Sequence, residues 1–353
     1  MLTIIVIIPV LTLNCSADEI TDKHLSEFEE ILPEEFSGLG SEPERIEALV
    51  GLDGVIGEIL LAVEGSLPGC VELLFLLLGG VLLGALCERL EGGLGALSAF
   101  GIGAVVSVVL TRRLSDLFSA LGEDITELSQ FFSALIPILS GVTLSGGGVS
   151  TAAAHAAAMN TTVSLLVGIL MPLMLFVSGF SLSVGALSAF GQSSVNAVSE
   201  LIRGIFMWVL GIITALIMGT LALQTVISAA KDSAAIRAAR YAASGMIPVV
   251  GGTVSASLAT LASGLAYVKG VIGIGASAVI LTGVISPLVL LLLSRGAISI
   301  AITVSELVGG GVISRVYSAA RKSFDLFIAV YALSVLLFLF EIILFVMTEA
   351  PIG

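Results

Sequence analysis

The chain has 353 residues, of which 57% are hydrophobic and 12% charged, with a mean hydropathy of +1.15. Soluble domains carry roughly 25% charged residues, so a water-soluble globular fold is excluded. The net charge of −13 is local: fourteen of the 27 acidic residues lie between Asp18 and Glu64, opposed only by Lys23 and Arg45, and the remainder is close to neutral.

Apolar stretches that run past ten residues without polar/apolar alternation argue against a membrane β-barrel. No basic face is present to bind phosphate, which disfavours nucleic acid as a partner. The expectation is an all-α, polytopic helical membrane protein with six to eight transmembrane helices, some of them Gly/Pro-broken or re-entrant. Forty glycines suit close helix packing in lipid.

Residues 1–17 (MLTIIVIIPVLTLNCSA) have an apolar core ending in small residues, the pattern of a signal peptide cleaved after Ala17. A short uncleaved anchor is the competing reading. Residues 18–66 form an acidic extracytoplasmic segment. Within it Leu25, Phe28 and Leu32 recur at helical spacing, and Ser41 with Glu44 makes a capping box before Ile46. These helices read as a solvated acidic face or as a partner-docking segment.

Residues 67–353 form the transmembrane domain. Apolar segments run at about Leu67 to Cys87, Gly93 to Leu110, Phe131 to Ala158, Val163 to Leu187, Ile205 to Ile227, Met246 to Val268, Gly270 to Leu293 and Leu326 to Met347. The stretch Thr111 to Gln130 carries the stripe Leu114, Leu117, Phe118, Leu121 and Ile125 beside charges, which predicts a helix on the membrane surface. Ala297 to Ile313 holds Glu306 and three glycines and reads as interfacial or re-entrant. Lys269, between two apolar runs, falls in a loop on this reading.

Two stretches resemble each other. ALIPILSG (Ala134 to Gly141) is similar to GMIPVVGG (Gly245 to Gly252), and MPLMLFVSG (Met171 to Gly179) to SPLVLLLLS (Ser286 to Ser294). If residues 131–228 and 245–347 each supply three spans, they form an inverted repeat with the Gly- and Pro-broken segments meeting near the midplane.

No P-loop, nucleophile elbow or HExxH pattern occurs, and no cofactor or metal is expected; the chain reads as a non-enzyme. Candidate pore or packing positions are Pro137, Gly146, Gly147, Gly148, Pro248, Gly251 and Gly252. His155, in AAAHAAAM, either lines a path or packs as a hydrogen-bonded core histidine. Glu341 lies in an apolar run with no basic neighbour in sequence, so it is protonated, buried against another helix, or solvated. Glu200 and Arg203 read as a local pair.

The leader, the acidic segment, FFSALIPILSGVTLSGGGVSTAAAH (Phe131 to His155), SGMIPVVGGTVSAS (Ser244 to Ser257) and the basic-then-apolar C-terminus together resemble the stage III sporulation protein AE family. The resemblance implies a multi-pass protein of the mother-cell membrane around the forespore, part of a channel, or feeding tube, that supports late forespore gene expression. Its implied partners are other proteins of the same operon, including a secretion-type ATPase and ring-forming membrane proteins, with the lipid bilayer around it and self-association into a homo-oligomer. The alternative from the residues alone is a stand-alone secondary transporter.

Overall fold

The computed structural model describes residues 19–33, 36, 52–88, 93–188, 193–246, 251–309 and 311–348. Among them the chain is helical and no strand occurs. A short helix α1 (19–31) precedes α2 (Leu52–Glu88), α3 (Gly93–Ser145), α4 (Val149–Leu165), α5 (Met171–Ser188), α6 (Ser193–Met246), α7 (Gly251–Val308) and α8 (Gly311–Met347). A five-residue π turn, Leu166–Leu170, joins α4 to α5. Six helical stretches among the described residues are long and apolar enough to cross a membrane, and the protein is an all-α, multi-pass membrane protein.

Several apolar segments fuse into helices much longer than the roughly 20 residues a bilayer needs. Gly93 to Leu110, the stripe of 111–130 and the start of the Phe131 segment are one helix, α3. The stripe therefore packs into protein rather than lying on a membrane surface: Leu114, Phe118, Leu121 and Ile125 are buried, and Phe118 stacks on Phe327 at 3.6 Å between ring centroids. The Phe131–Ala158 segment is not a single span, because the chain turns at Gly146–Gly148 between α3 and α4. Conversely, no loop falls at Lys269, and residues 297–308 are the last turns of α7 rather than a re-entrant piece.

Of the two similar units the second is described only in part, since residues 247–250 lie outside the described residues. Pro137 and Pro172 flank the Gly146–Gly148 turn and the π turn, whereas Pro287 lies inside the unbroken α7. Pro248 and the signal-peptide segment 1–17 lie outside the described residues, as do Ser41 and Glu44. The π turn has a local cause. Pro172 has no N–H and its ring crowds the carbonyl one turn back, and the strain is relieved where the Met171 N–H reaches back five residues to the Leu166 carbonyl.

The C-terminal helix α8 is the hub, packed against every other spanning helix. Phe324 and Phe327 meet Phe118 of α3, and Phe338 meets Phe132 at 4.4 Å. On α2 the spacing Gly80–Gly84 lets the start of α8 approach closely, with Tyr317 over Gly80 and Ile313 over Gly84. Helix α1 docks on the bundle by its apolar stripe: Phe28 is fully buried against Gly275, and His24 lies over Gly141. The segment's apolar face is thus an intramolecular contact.

Ion pairs join the helices at one level. Glu72 of α2 pairs with Arg113 of α3, Arg295 of α7 with Asp325 of α8, and Lys322 of α8 with Glu200 of α6 at 2.5 Å. Glu200 thus has an ion-pair partner on a distant helix, with Arg203 acting on it as a nearby charge.

A Cβ on Gly80 would stand 2.5 Å from the Tyr317 hydroxyl, which donates to the Leu77 carbonyl at 2.8 Å. Gly80→Ala is expected to break that bond and cost about 1–3 kcal/mol. Gly79→Ala meets no atom within 4 Å and gains helix propensity of up to about 1 kcal/mol. Thermal unfolding in detergent, read by monodisperse elution after heating, should show a lowered midpoint for the first variant only.

Candidate functional site

Helix α3 ends in a run of glycines. Gly147 has φ +76°, a conformation that L side chains rarely adopt. Its N–H bonds to the Leu144 carbonyl at 2.8 Å, and the Gly148 N–H bonds to the Thr143 carbonyl at 3.0 Å. This is the Schellman arrangement, with glycine at the left-handed position. Gly146–Gly148 are in this way a helix stop, required by backbone geometry.

Gly148 then serves as the N-cap of α4 without a side chain to offer. The orphan N–H groups of Ser150 and Thr151 donate instead to the two carboxylate oxygens of Asp232 from α6, at 3.1 and 2.7 Å. A carboxylate at a helix N-terminus satisfies two donors and opposes the helix dipole. Gly148 is tight against the preceding turn: a Cβ there would lie 3.0 Å from Thr143 Cγ2 and 3.2 Å from the Thr143 carbonyl oxygen. On the other side of the turn, the Ser145 hydroxyl meets His24 Nε2 of α1 at 3.1 Å.

A second helix end is closed in the mirror sense. Lys269, 4% exposed, donates from Nζ to the Thr348 carbonyl at 2.9 Å, just past the end of α8. It also contacts the Thr348 hydroxyl at 3.3 Å and lies 5.1 Å from the Phe345 ring centroid. A cation at a helix C-terminus caps free carbonyls and gains from the dipole, and the ring face adds a cation–π contribution.

His155 also meets Phe345, edge-on at 6.1 Å between centroids. It is buried, and its Nε2 has no hydrogen-bond partner in the bundle; Thr151 Oγ1, one turn earlier, is also without one. Two turns further along α4, the Thr162 hydroxyl donates to the Glu341 carboxylate, with both residues buried. Thr151, His155 and Thr162 form a buried polar edge of α4 that faces α8, and Glu341 lies about 10 Å deeper than Thr348 along α8.

The structure thus gathers Gly146, Gly147, Gly148, His155 and Glu341 along α4. Pro137 sits two turns before the glycine turn, inside α3. Gly251 and Gly252 open α7. Three residues were missed from sequence. Asp232 and Lys269 each follow an apolar run and carry the signal of a span end, while Thr162 carries none. No group of three His, Cys, Asp or Glu side chains converges among the described residues. Chemically the arrangement joins helix ends and pairs one buried carboxylate with a hydroxyl.

Asp232→Ala would leave the Ser150 and Thr151 N–H groups without acceptors and is expected to cost about 1–2 kcal/mol. Asp232→Asn keeps one acceptor and should cost less, by about the 0.3–1 kcal/mol of the dipole interaction. Thermal midpoints of the two variants in detergent, ordered Ala below Asn below parent, check this.

The family model described as stage III sporulation protein AE matches residues 47–349. The stage III sporulation protein AE of Bacillus subtilis (strain 168) is 27% identical over 241 residues, covering 66% of this chain and 60% of that relative's length. No solved structure matches significantly. With its glycine turn, capped helix ends and apolar helices inside a match that takes in well over half of its length, the chain belongs to the stage III sporulation protein AE family.

Proposed function

We propose that this protein is a non-enzymatic membrane component of a channel that links mother cell and forespore and supports late forespore gene expression. The observation that carries the reading is the family match across the spanning helices, residues 47–349. The bundle is compatible with a structural part. The buried Asp232, Lys269 and Glu341 cap helices or join them, and among the described residues none is arranged as a nucleophile with an activating base. On this reading the chain resides in the mother-cell membrane around the forespore, and its partners are other stage III sporulation proteins, including a secretion-type ATPase and ring-forming membrane proteins.

A stand-alone secondary transporter is favoured by one observation, the buried Glu341–Thr162 pair, since a carboxylate inside a membrane bundle is a common coupling site. The two readings differ in what the protein needs. A tagged full-length chain, purified in mild detergent from sporulating cells, should bring the ATPase and ring proteins with it in fixed proportion. Recovery of the protein alone, with solute uptake retained in liposomes, overturns the channel reading.

A further inference from the structure

Helix α1 bridges α3 and α7, and three of its side chains stand over glycines of those two helices. Thr21 Oγ1 lies 3.4 Å from where a Cβ on Gly264 of α7 would be, His24 Cε1 3.0 Å from one on Gly141 of α3, and Phe28 Cε1 2.9 Å from one on Gly275 of α7. Positions i, i+3 and i+7 share one helix face, so α1 is seated by a row of knobs in sockets that only glycine leaves open. Its other face carries Glu19, Asp22, Lys23, Ser26 and Glu30, all exposed.

The seat can be vacated without orphaning the polar groups beneath it. The Ser145 hydroxyl, which meets His24 Nε2, also donates to the Gly141 carbonyl at 3.0 Å, and the Thr143 hydroxyl donates to the Leu139 carbonyl at 2.8 Å. On α7 the Ser277 hydroxyl is held by the Gly273 carbonyl at 2.7 Å. His24 keeps Glu27 of its own helix at 3.2 Å. A helix of thirteen residues is marginal alone in water, so the folding of α1 is tied to docking, with the fully buried Phe28 as its anchor. An element with two such satisfied arrangements is the material of a switch.

Resting on the channel reading above, we propose that α1 is a detachable strap: docked, it ties α3 to α7 beside the glycine turn, and released, it opens a glycine-lined groove there. Ser145 is the last residue of α3, directly before Gly146, so the strap acts on the helix end from which the turn starts. Release of α1 is then the step by which the acidic segment sets the state of the bundle.

A disulfide tests both halves of the idea in the full-length chain with Cys15, Cys70 and Cys87 replaced by Ser. Thr21→Cys with Gly264→Cys puts two sulfurs within bridging reach in the docked state. Copper phenanthroline should cross-link this pair in membranes, and adding Phe28→Ala or Gly275→Leu should slow the reaction at least about tenfold. Gly283→Leu, where a Cβ meets no atom within 4 Å, should leave the rate unchanged, and parental accumulation in the membrane shows that each variant has folded. In sporulating cells the bridged pair should lower late forespore gene expression at least about tenfold relative to either single-cysteine variant, and a reductant should restore it. Equal cross-linking rates in the parent pair, Phe28→Ala and Gly275→Leu overturn the proposal, as does parental expression with the strap locked. A protein that purifies alone and takes up solute removes the channel reading; the strap then stands only if locking lowers uptake and reduction restores it.

Discussion

A backbone N–H or C=O left unpaired in hydrocarbon costs several kcal/mol, and a helix has up to four such groups at each end. In this protein two helix ends are closed by side chains from other helices. Asp232 of α6 completes the first turn of α4, and Lys269 of α7 completes the last turn of α8. Each cap is also a tie between helices far apart in sequence, with its charge opposite to the dipole it faces. The glycine turn between α3 and α4 depends on this: Gly148 has no side chain to cap with, and the Asp232 carboxylate takes that role.

The hub role of α8 follows from what surrounds it. More than half of its spanning window is buried, 56%, against 17% for α6. Lipid tails are as apolar as leucine side chains, so helices in a bilayer associate through packing and polar ties rather than through the hydrophobic effect. Close approach at Gly80 and Gly84, aromatic contacts with α3 and the Tyr317–Leu77 bond supply such packing along one end and the middle of α8. Lys269 and Glu341 supply polar ties toward the other end.

The helical class, the multi-pass character and the apolar faces of 19–31 and 111–130 were legible in the sequence because hydropathy and periodicity report them directly. Helix continuity was not. Lys269 between two apolar runs looks like a loop, yet the helix passes through it because a cation has a partner waiting at Thr348. Gly146–Gly148 inside an apolar run looks like part of a span, yet a left-handed glycine stops the helix there. Hydropathy averages over a window, whereas a helix stops where a particular dihedral or hydrogen bond requires it. In the same way the 111–130 stripe gave the buried face of α3 correctly and its surroundings wrongly, since amphipathicity does not distinguish a membrane surface from a protein core.

The polar half of that amphipathic stretch bears on how the protein sits in a membrane. A helix crossing lipid alone would be apolar all round, and one packed wholly inside a bundle would be covered on every side. Here α6 turns mostly apolar side chains outward, Trp208, Leu216 and Leu223 with Thr220 and Gln224 between them, while α3 turns Glu123 and Glu127 outward. The polar side of α3 is thus exposed, while its opposite side is fixed by Phe118 and Phe132 against the central α8.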